Sequence, residues 1–260
     1  MKAQQIKWSN ELIKPGLDIL SKPGGAIVSP TKVGYIIMTT DRIGLERKFA
    51  AKNRNLNKPG VVLLSSINQL TELAELNDEI IQFYQRHWEQ NILLGCILPW
   101  QAAAQSKYIP NDQSAELIMD QRKTSCFVIK YGLPSEQIVT ALWNSEQKLT
   151  FASSANPSGQ GNRGVITGVG TKIMNEVDLL IEADEYVHSN QPDQDSTTRY
   201  EQGVMISMVD QQGKLIPVQG QERMVTPCPV LIRKGLAVDQ IMNNLTEQFN
   251  SWDYRHGQYY

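Results

Sequence analysis

Short runs of aliphatic residues alternate with stretches of helical periodicity from residue 17 to residue 153, and this interleaving restricts the fold more than any other feature of the chain. Residues 17–22 read as a short helix with Pro15 at its start and Gly24-Gly25 beyond its end. Residues 26–29 and 34–40 read as strands, with Pro30-Thr31 at a bend between them where hydroxyls and backbone amides can face outward. Asp41 is placed to cap a helix over residues 42–51, whose Ile43, Leu45 and Phe49 form an apolar stripe. Strands are then expected over 61–65, 92–98, 124–129 and 149–153, and helices over 72–88 and 135–143, the second with Ser135 as its cap. Such alternation predicts an α/β or α+β protein with helices packed on a sheet, and argues against a helical bundle.

The final third differs in texture. A strand over 177–182 precedes a polar loop over 188–203, a hairpin over 204–209 and 215–218, a strand over 230–233 and a closing helix over 238–249. Residues 100–123 are polar and weakly periodic, and read as an excursion or lid. The chain carries no internal repeat, heptad array or low-complexity tract.

At 260 residues, 41% hydrophobic and 20% charged with a net charge of −2, the chain suits one large globular domain and not a disordered or nucleic-acid-coating protein. Any basic surface must be local. No run approaches the roughly 18 apolar residues of a membrane span, and the first residues lack the apolar stretch of a signal peptide, so a cytoplasmic protein is expected. Cys96 and Cys126 lie inside apolar runs and read first as buried reduced thiols, with a nucleophile as the alternative. His87, His188 and His256 show no metal-ligand spacing with one another or with the cysteines, so no metal ligands are predicted.

Three polar clusters stand out. Lys52, Asn53 and Arg54 end a helix, where cations complement the helix dipole; the same residues, with Lys58, could also clamp a phosphate. The segment FASSANPSG, residues 151–159, loads a strand end with hydroxyls, an amide and a glycine, which can cap a turn or line a ligand site. Arg163, flanked by glycines, reads as a solvated loop residue or as a cation able to reach a phosphate.

Taken in order, ILSKPGGAIVSPTKVGY, FAAKNRNLNKP, HWEQNILLGCILP, SSANPSG, EVDLLIEAD, DSTT and LIRKG resemble the YrdC-like family, whose members include threonylcarbamoyl-adenylate synthases. The resemblance runs from about residue 17 to about residue 235; it leaves residues 1–16 as an N-terminal extension, 17–236 as the YrdC-like domain and 237–260 as a C-terminal helix and aromatic tail. It implies a single domain with a twisted mixed sheet and packed helices around a large concave cavity. It also implies that Lys52 and Arg54 bind the phosphates of ATP and carry the catalytic charge. Ser154, Asn156, Ser196 and Arg233 would complete the nucleotide contacts, and Thr31 and Tyr35 would lie near the amino-acid and bicarbonate end. The implied reaction makes L-threonylcarbamoyl-AMP from threonine, bicarbonate and ATP, with Mg2+, for tRNA N6-threonylcarbamoyladenosine modification.

The departures are specific. Where the family has PTETVYGLG this chain has PTKVGYIIM, so Ile36 and Met38 replace glycines and should narrow that end of the cavity. WPGPLT becomes WEQNIL, and TRYEQG after the Ser-Thr pair looks like an insertion. Two other readings stay open: a module binding double-stranded RNA or tRNA without adenylation activity, and a carbamoyl-transfer paralogue acting on a different small-molecule acceptor. The aromatic tail, with Phe249, Trp252, Tyr254, Tyr259 and Tyr260, suits packing on the body or on a second copy in a homodimer. No membrane partner is expected.

Overall fold

The computed structural model describes residues 3–52, 60–157 and 159–257. Among the described residues eleven strands form one mixed sheet. Its strands are β1 (Gln4–Lys7), β2 (Ala26–Thr31), β3 (Gly34–Thr39), β4 (Val61–Leu63), β5 (Leu94–Pro99), β6 (Thr124–Ile129), β7 (Thr150–Ser154), β8 (Leu179–Glu182), β9 (Val204–Ser207), β10 (Val230–Arg233) and β11 (Asp253–Tyr254), in the order β1-β8-β2-β3-β7-β4-β6-β5-β9-β10-β11. The helices are α1 (Lys14–Ser21), α2 (Arg42–Lys52), α3 (Ile67–Leu73), α4 (Asp78–Glu89), α5 (Ala102–Tyr108), α6 (Ser114–Ile118), α7 (Leu133–Glu146), α8 (Thr171–Glu176), α9 (Asp184–Asn190) and α10 (Val238–Gln248). The expected fold class is the one observed.

Side chains alternate across a strand, and the register sorts them into two faces. On one face Val62, Cys96, Phe127 and Phe151 join Leu45, Phe83, Tyr84, Ile241 and Phe249 in the main core, which α2, α3, α4 and α10 cover. On the other, Ile27, Met38, Ala152 and Leu179 pack beneath Leu20 of α1 and Ile138, Val139 and Leu142 of α7. These two helices cover only part of that face. The remainder, from β3 across to β10, is open and floors a cavity.

Several local expectations change. Pro30 and Thr31 belong to β2, and the hairpin turn is Lys32-Val33, closed by Gly34 at φ +103°. Asp41 does cap α2, accepting from Gly44 N at 2.7 Å. The helix expected over 72–88 is two helices, because Asn77 starts a new one by accepting from Ile80 N at 3.0 Å. Ser135 is not a cap: it lies inside α7, and its hydroxyl donates to Pro30 O at 2.7 Å, while Gly132 precedes the helix. The hairpin expected beyond β9 reduces to one bridge, Val209 to Leu215.

The lid reading of residues 100–123 is overturned. Trp100, Ala104, Leu117, Ile118 and Met119 are buried in the main core, on the face away from the open part of the sheet. Its polar surface conceals an apolar side fastened to α3, where Gln101 Nε2 donates to Thr71 O at 2.7 Å. Both ends of the chain extend the same sheet: β1 pairs with β8, and β11 pairs with β10. Of the tail aromatics, Phe249 is 1% exposed and Trp252 packs against the main core, Tyr254 is exposed, and Tyr259 and Tyr260 lie outside the described residues.

Candidate functional site

Strand register builds the cavity floor. Ile36 pairs with Ser154, Ala152 with Val61, Val61 with Cys126, Leu63 with Val128, and Met205 with Arg233, so these side chains share the uncovered face. The floor is therefore apolar in the middle and polar at both ends. The walls come from Thr31, Val33, Leu93 and Tyr131, from the loop carrying Asn156, Gly159, Gly161 and Asn162, and from residues 199–203. The enclosed volume is about 440 Å³, inside the ~300–1,000 Å³ range of small-molecule and cofactor sites. Of the described lining residues Lys52, Arg199 and Arg233 are cationic and Glu201 is acidic, an excess of positive charge that suits an anionic ligand.

Lys52 reaches the cavity because α2 ends where β7 ends. Its ammonium donates to Ser154 Oγ at 3.0 Å and to the Ser154 carbonyl, and the residue is only 8% exposed. The serine side chain itself is exposed to the cavity. Asn156 is 6% exposed, its amide nitrogen donating to Pro157 O at 2.9 Å. Arg233 is half-buried, with Nε donating to Gly203 O at 2.8 Å. Arg54 lies outside the described residues.

Thr31 and Tyr35 line the cavity with their functional groups already engaged. Thr31 Oγ1 donates to Gly34 O at 2.6 Å across the hairpin. The Tyr35 hydroxyl donates to Asp184 and accepts from Ala183 N at 2.9 Å, and burial raises its pKa far above the usual phenol range. Its carbonyl instead accepts from Ala155 N at 2.7 Å and Asn162 Nδ2 at 2.9 Å. Tyr35 thereby fastens the Ser-Ala-Asn segment and the following loop to β3. Ser196 sits on an exposed turn over 195–198 and is not part of the wall. Arg163 is turned outward to the same turn, donating to Thr197 O.

The glycine replacements split. Ile36 stands in the cavity floor, whereas Met38 is fully buried beneath α1 and α7 and does not touch the cavity. Lys32, which stands where the family has an acid, points away to donate to Asn91 O at 2.6 Å, and burial lowers its pKa. Cys126 lines the floor, but burial pushes its thiol up to about 12, so it is protonated at neutral pH and unsuited to be a thiolate nucleophile. Among the described residues no group of three or more His, Cys, Asp or Glu could hold a metal ion.

Sequence reasoning passed over Asn162, Tyr131, Lys48 and Arg199. Asn162 accepts from Gly164 N at 3.0 Å and its carbonyl accepts from Tyr200 N at 2.9 Å, so it organises the wall; the only signal was its place among glycines. Tyr131 is 2% exposed and its hydroxyl has no hydrogen-bond partner among the described residues. Lys48, one turn before Lys52, is a 2% exposed cation that reaches under Gly60 in the wall. A second cavity, about 370 Å³, lies beside the start of α2, but its cations are paired: Arg42 with Glu46 at 2.9 Å, Lys107 with Glu72 at 2.9 Å and Lys148 with Glu146 at 3.1 Å.

Fold and site thus define a mixed-sheet α/β protein with a cation-rimmed, ligand-sized cavity on the half-covered face of its sheet. The chain belongs to the Sua5/YciO/YrdC family, described as telomere recombination, which matches residues 20–197. A hypothetical protein of Streptococcus mutans UA159 is 56% identical over 100% of both chains, with a TM-score of 0.94. Sua5 of P. abyssi complexed with L-threonine is 18% identical, with a TM-score of 0.63 over 94% of this chain and 62% of that one. YciO of E. coli is 17% identical, with a TM-score of 0.62 over 90% of this chain and 96% of that one. The last two likenesses show the fold alone, and the chain spans only 62% of the length of the P. abyssi protein. No curated protein sequence matches this chain. No helix of the described residues is long and apolar enough to cross a membrane.

Proposed function

We propose that this chain is an ATP-dependent carbamoyl-adenylate synthase that forms L-threonylcarbamoyl-AMP from threonine, bicarbonate and ATP. One observation carries the reading: residues far apart in sequence, Thr31, Lys52, Ser154, Asn156 and Arg233, line a single cavity of about 440 Å³. Family membership and the threonine complex of the P. abyssi protein support it.

In this reading the amine of threonine attacks the carbon of bicarbonate, a C–N bond forms and a C–O bond breaks, and water departs to leave a carbamate. A carbamate oxygen attacks the α-phosphorus, a new P–O bond forms, and the bond to the departing pyrophosphate breaks. Little covalent help is needed from the protein, so positioning and charge neutralisation supply the rate. Lys52 is held at the Ser154 strand end by two acceptors, the carbonyl and hydroxyl oxygens of Ser154, which phosphate oxygens can replace. Arg54 adds the second phosphate contact, Ser154 and Asn156 contact the nucleotide, and Arg233 holds the adenylate. Thr31, at the hairpin end of the wall, marks the amino-acid side. Magnesium brought in with the phosphates would need at most one or two protein carboxylates, and Glu201 in the wall would be the residue to hold it, neutralising charge on the phosphates.

Pyrophosphate release from ATP and bicarbonate, with amino acids supplied one at a time, tests the reading. Release that needs threonine and falls at least a hundredfold in Lys52→Ala supports it. Release with another amine donor makes the protein a paralogue with a different acceptor. Absence of ATP binding, together with salt-steep binding of double-stranded RNA, replaces the reading with an RNA-binding module.

A further inference from the structure

The segment TRYEQG, residues 198–203 directly after the Ser-Thr pair, is a strap along the rim of the cavity. Its backbone is tied at successive residues: Tyr200 N to Asn162 O at 2.9 Å, Glu201 N to Gln191 Oε1 at 2.8 Å, Gln202 O to Leu236 N at 2.8 Å and Gly203 O to Arg233 Nε at 2.8 Å. The strap joins the Asn162 loop on one side to β10 on the other.

Two glycines seat it. A Cβ on Gly161 would come within 2.5 to 2.7 Å of Nε, Cδ and Cγ of Arg199, and a Cβ on Gly164 would overlap the ring of Tyr200. Both glycines have positive φ, +73° and +71°. Consecutive strap residues therefore dock on glycines three apart, a placement that fixes where the Arg199 side chain lies. Arg199 is exposed in the cavity wall, and among the described residues its guanidinium makes no hydrogen bond or ion pair. Arg163, beside these glycines, is by contrast bonded to Thr197 O. A seated, unpaired guanidinium in a ligand-sized cavity is a ready fork for a phosphate.

We propose that Arg199 is a phosphate-binding residue of the cavity, contributed by the strap and separate from the Lys52 and Arg54 segment. The ligand class is an oligophosphate. The inference rests on the reading above in taking that oligophosphate to be the triphosphate of ATP. With Arg199 on the rim and Lys52 at the strand end, a phosphate chain is held from two segments, which favours an extended oligophosphate over a single small anion.

Calorimetric titration of wild type, Arg199→Ala, Arg199→Lys and Gly161→Ala with ATP and with inorganic tripolyphosphate tests it. Arg199→Ala should raise the Kd for both ligands at least about tenfold, the expected loss for a charge-assisted bidentate contact, with thermal stability unchanged because the side chain is unpaired. Arg199→Lys should recover only part of the affinity, and Gly161→Ala should weaken binding with the arginine still present. Wild type that binds ATP while Arg199→Ala binds it equally well overturns this inference and leaves the synthase reading standing. Binding of tripolyphosphate but not ATP, lost in Arg199→Ala, supports Arg199 and overturns the synthase reading. Wild type that binds neither ligand overturns both.

Discussion

His87 lies on α4 at full burial, and its surroundings make it a pH-dependent weak point of the fold. The neutral ring donates Nδ1–H to Phe83 O at 2.7 Å and accepts at Nε2 from Asn244 Nδ2 at 3.2 Å, so both nitrogens are used and the tautomer is set. Phe83 meets it edge-on with ring centroids 4.3 Å apart, and the charge that acts on it is the Arg86 cation, itself paired with Glu247 at 2.7 Å. Burial lowers the pKa from 6.5 to about 4. The folded state therefore binds this proton more weakly than the unfolded chain does. Stability is at its full value above pH 6.5, falls as the pH drops below it, and stops falling below about 4. At about 1.4 kcal/mol for each tenfold difference in proton affinity, the loss over that window is about 3 kcal/mol. His87→Phe keeps an apolar ring of similar size and cannot titrate. Urea unfolding of both proteins at pH 7, 6, 5 and 4 cancels the carboxylates and the other histidines. The difference between them should change by about 3 kcal/mol across the series, and curves that stay parallel would refute the reasoning.

Three further outcomes follow from the site. Tyr35→Phe removes the hydroxyl that serves Asp184 and Ala183 N, and should cost about 2 kcal/mol in urea unfolding; a loss under about 0.5 kcal/mol would mean that the pair is not fastening β3 to α9. Gly34→Ala places a methyl at φ +103° against the Asn162 amide, and should destabilise by more than about 1 kcal/mol and weaken ATP binding; an unchanged Tm would show that the loop is not seated on the hairpin. Tyr131→Phe deletes a buried hydroxyl with no partner among the described residues, so thermal unfolding should stay level or gain up to about 1 kcal/mol; a clear loss would reveal a hydrogen bond made in solution.

The longer elements and the residues that build the site are legible in the amino-acid order. Apolar periodicity located β2 to β10 and the longer helices α1, α2, α4, α7 and α10, because burying one face is what makes a period of 2 or 3.6 necessary, but it passed over β1, β11 and the short helices α5, α6, α8 and α9. The Ser-Ala-Asn strand end and the Lys52 helix end were legible because hydroxyl, amide and ammonium groups at the ends of apolar runs are unusual and local. Tertiary structure decided the rest. Residues 100–123 looked like a polar lid, since a short helix that buries Leu117 and Ile118 has too few turns to display its period. Ile36 and Met38 are two residues apart on one strand and so share a face, yet only Ile36 meets the cavity, because α1 and α7 stop short of covering it. The phenol of Tyr35 proved to be a fastening and its carbonyl the useful group, a distinction that depends on where Asp184 and Asn162 arrive from distant segments. Arg199 was one arginine in a polar loop. Its seat on Gly161 exists only once two loops meet, and no local pattern encodes a contact between them.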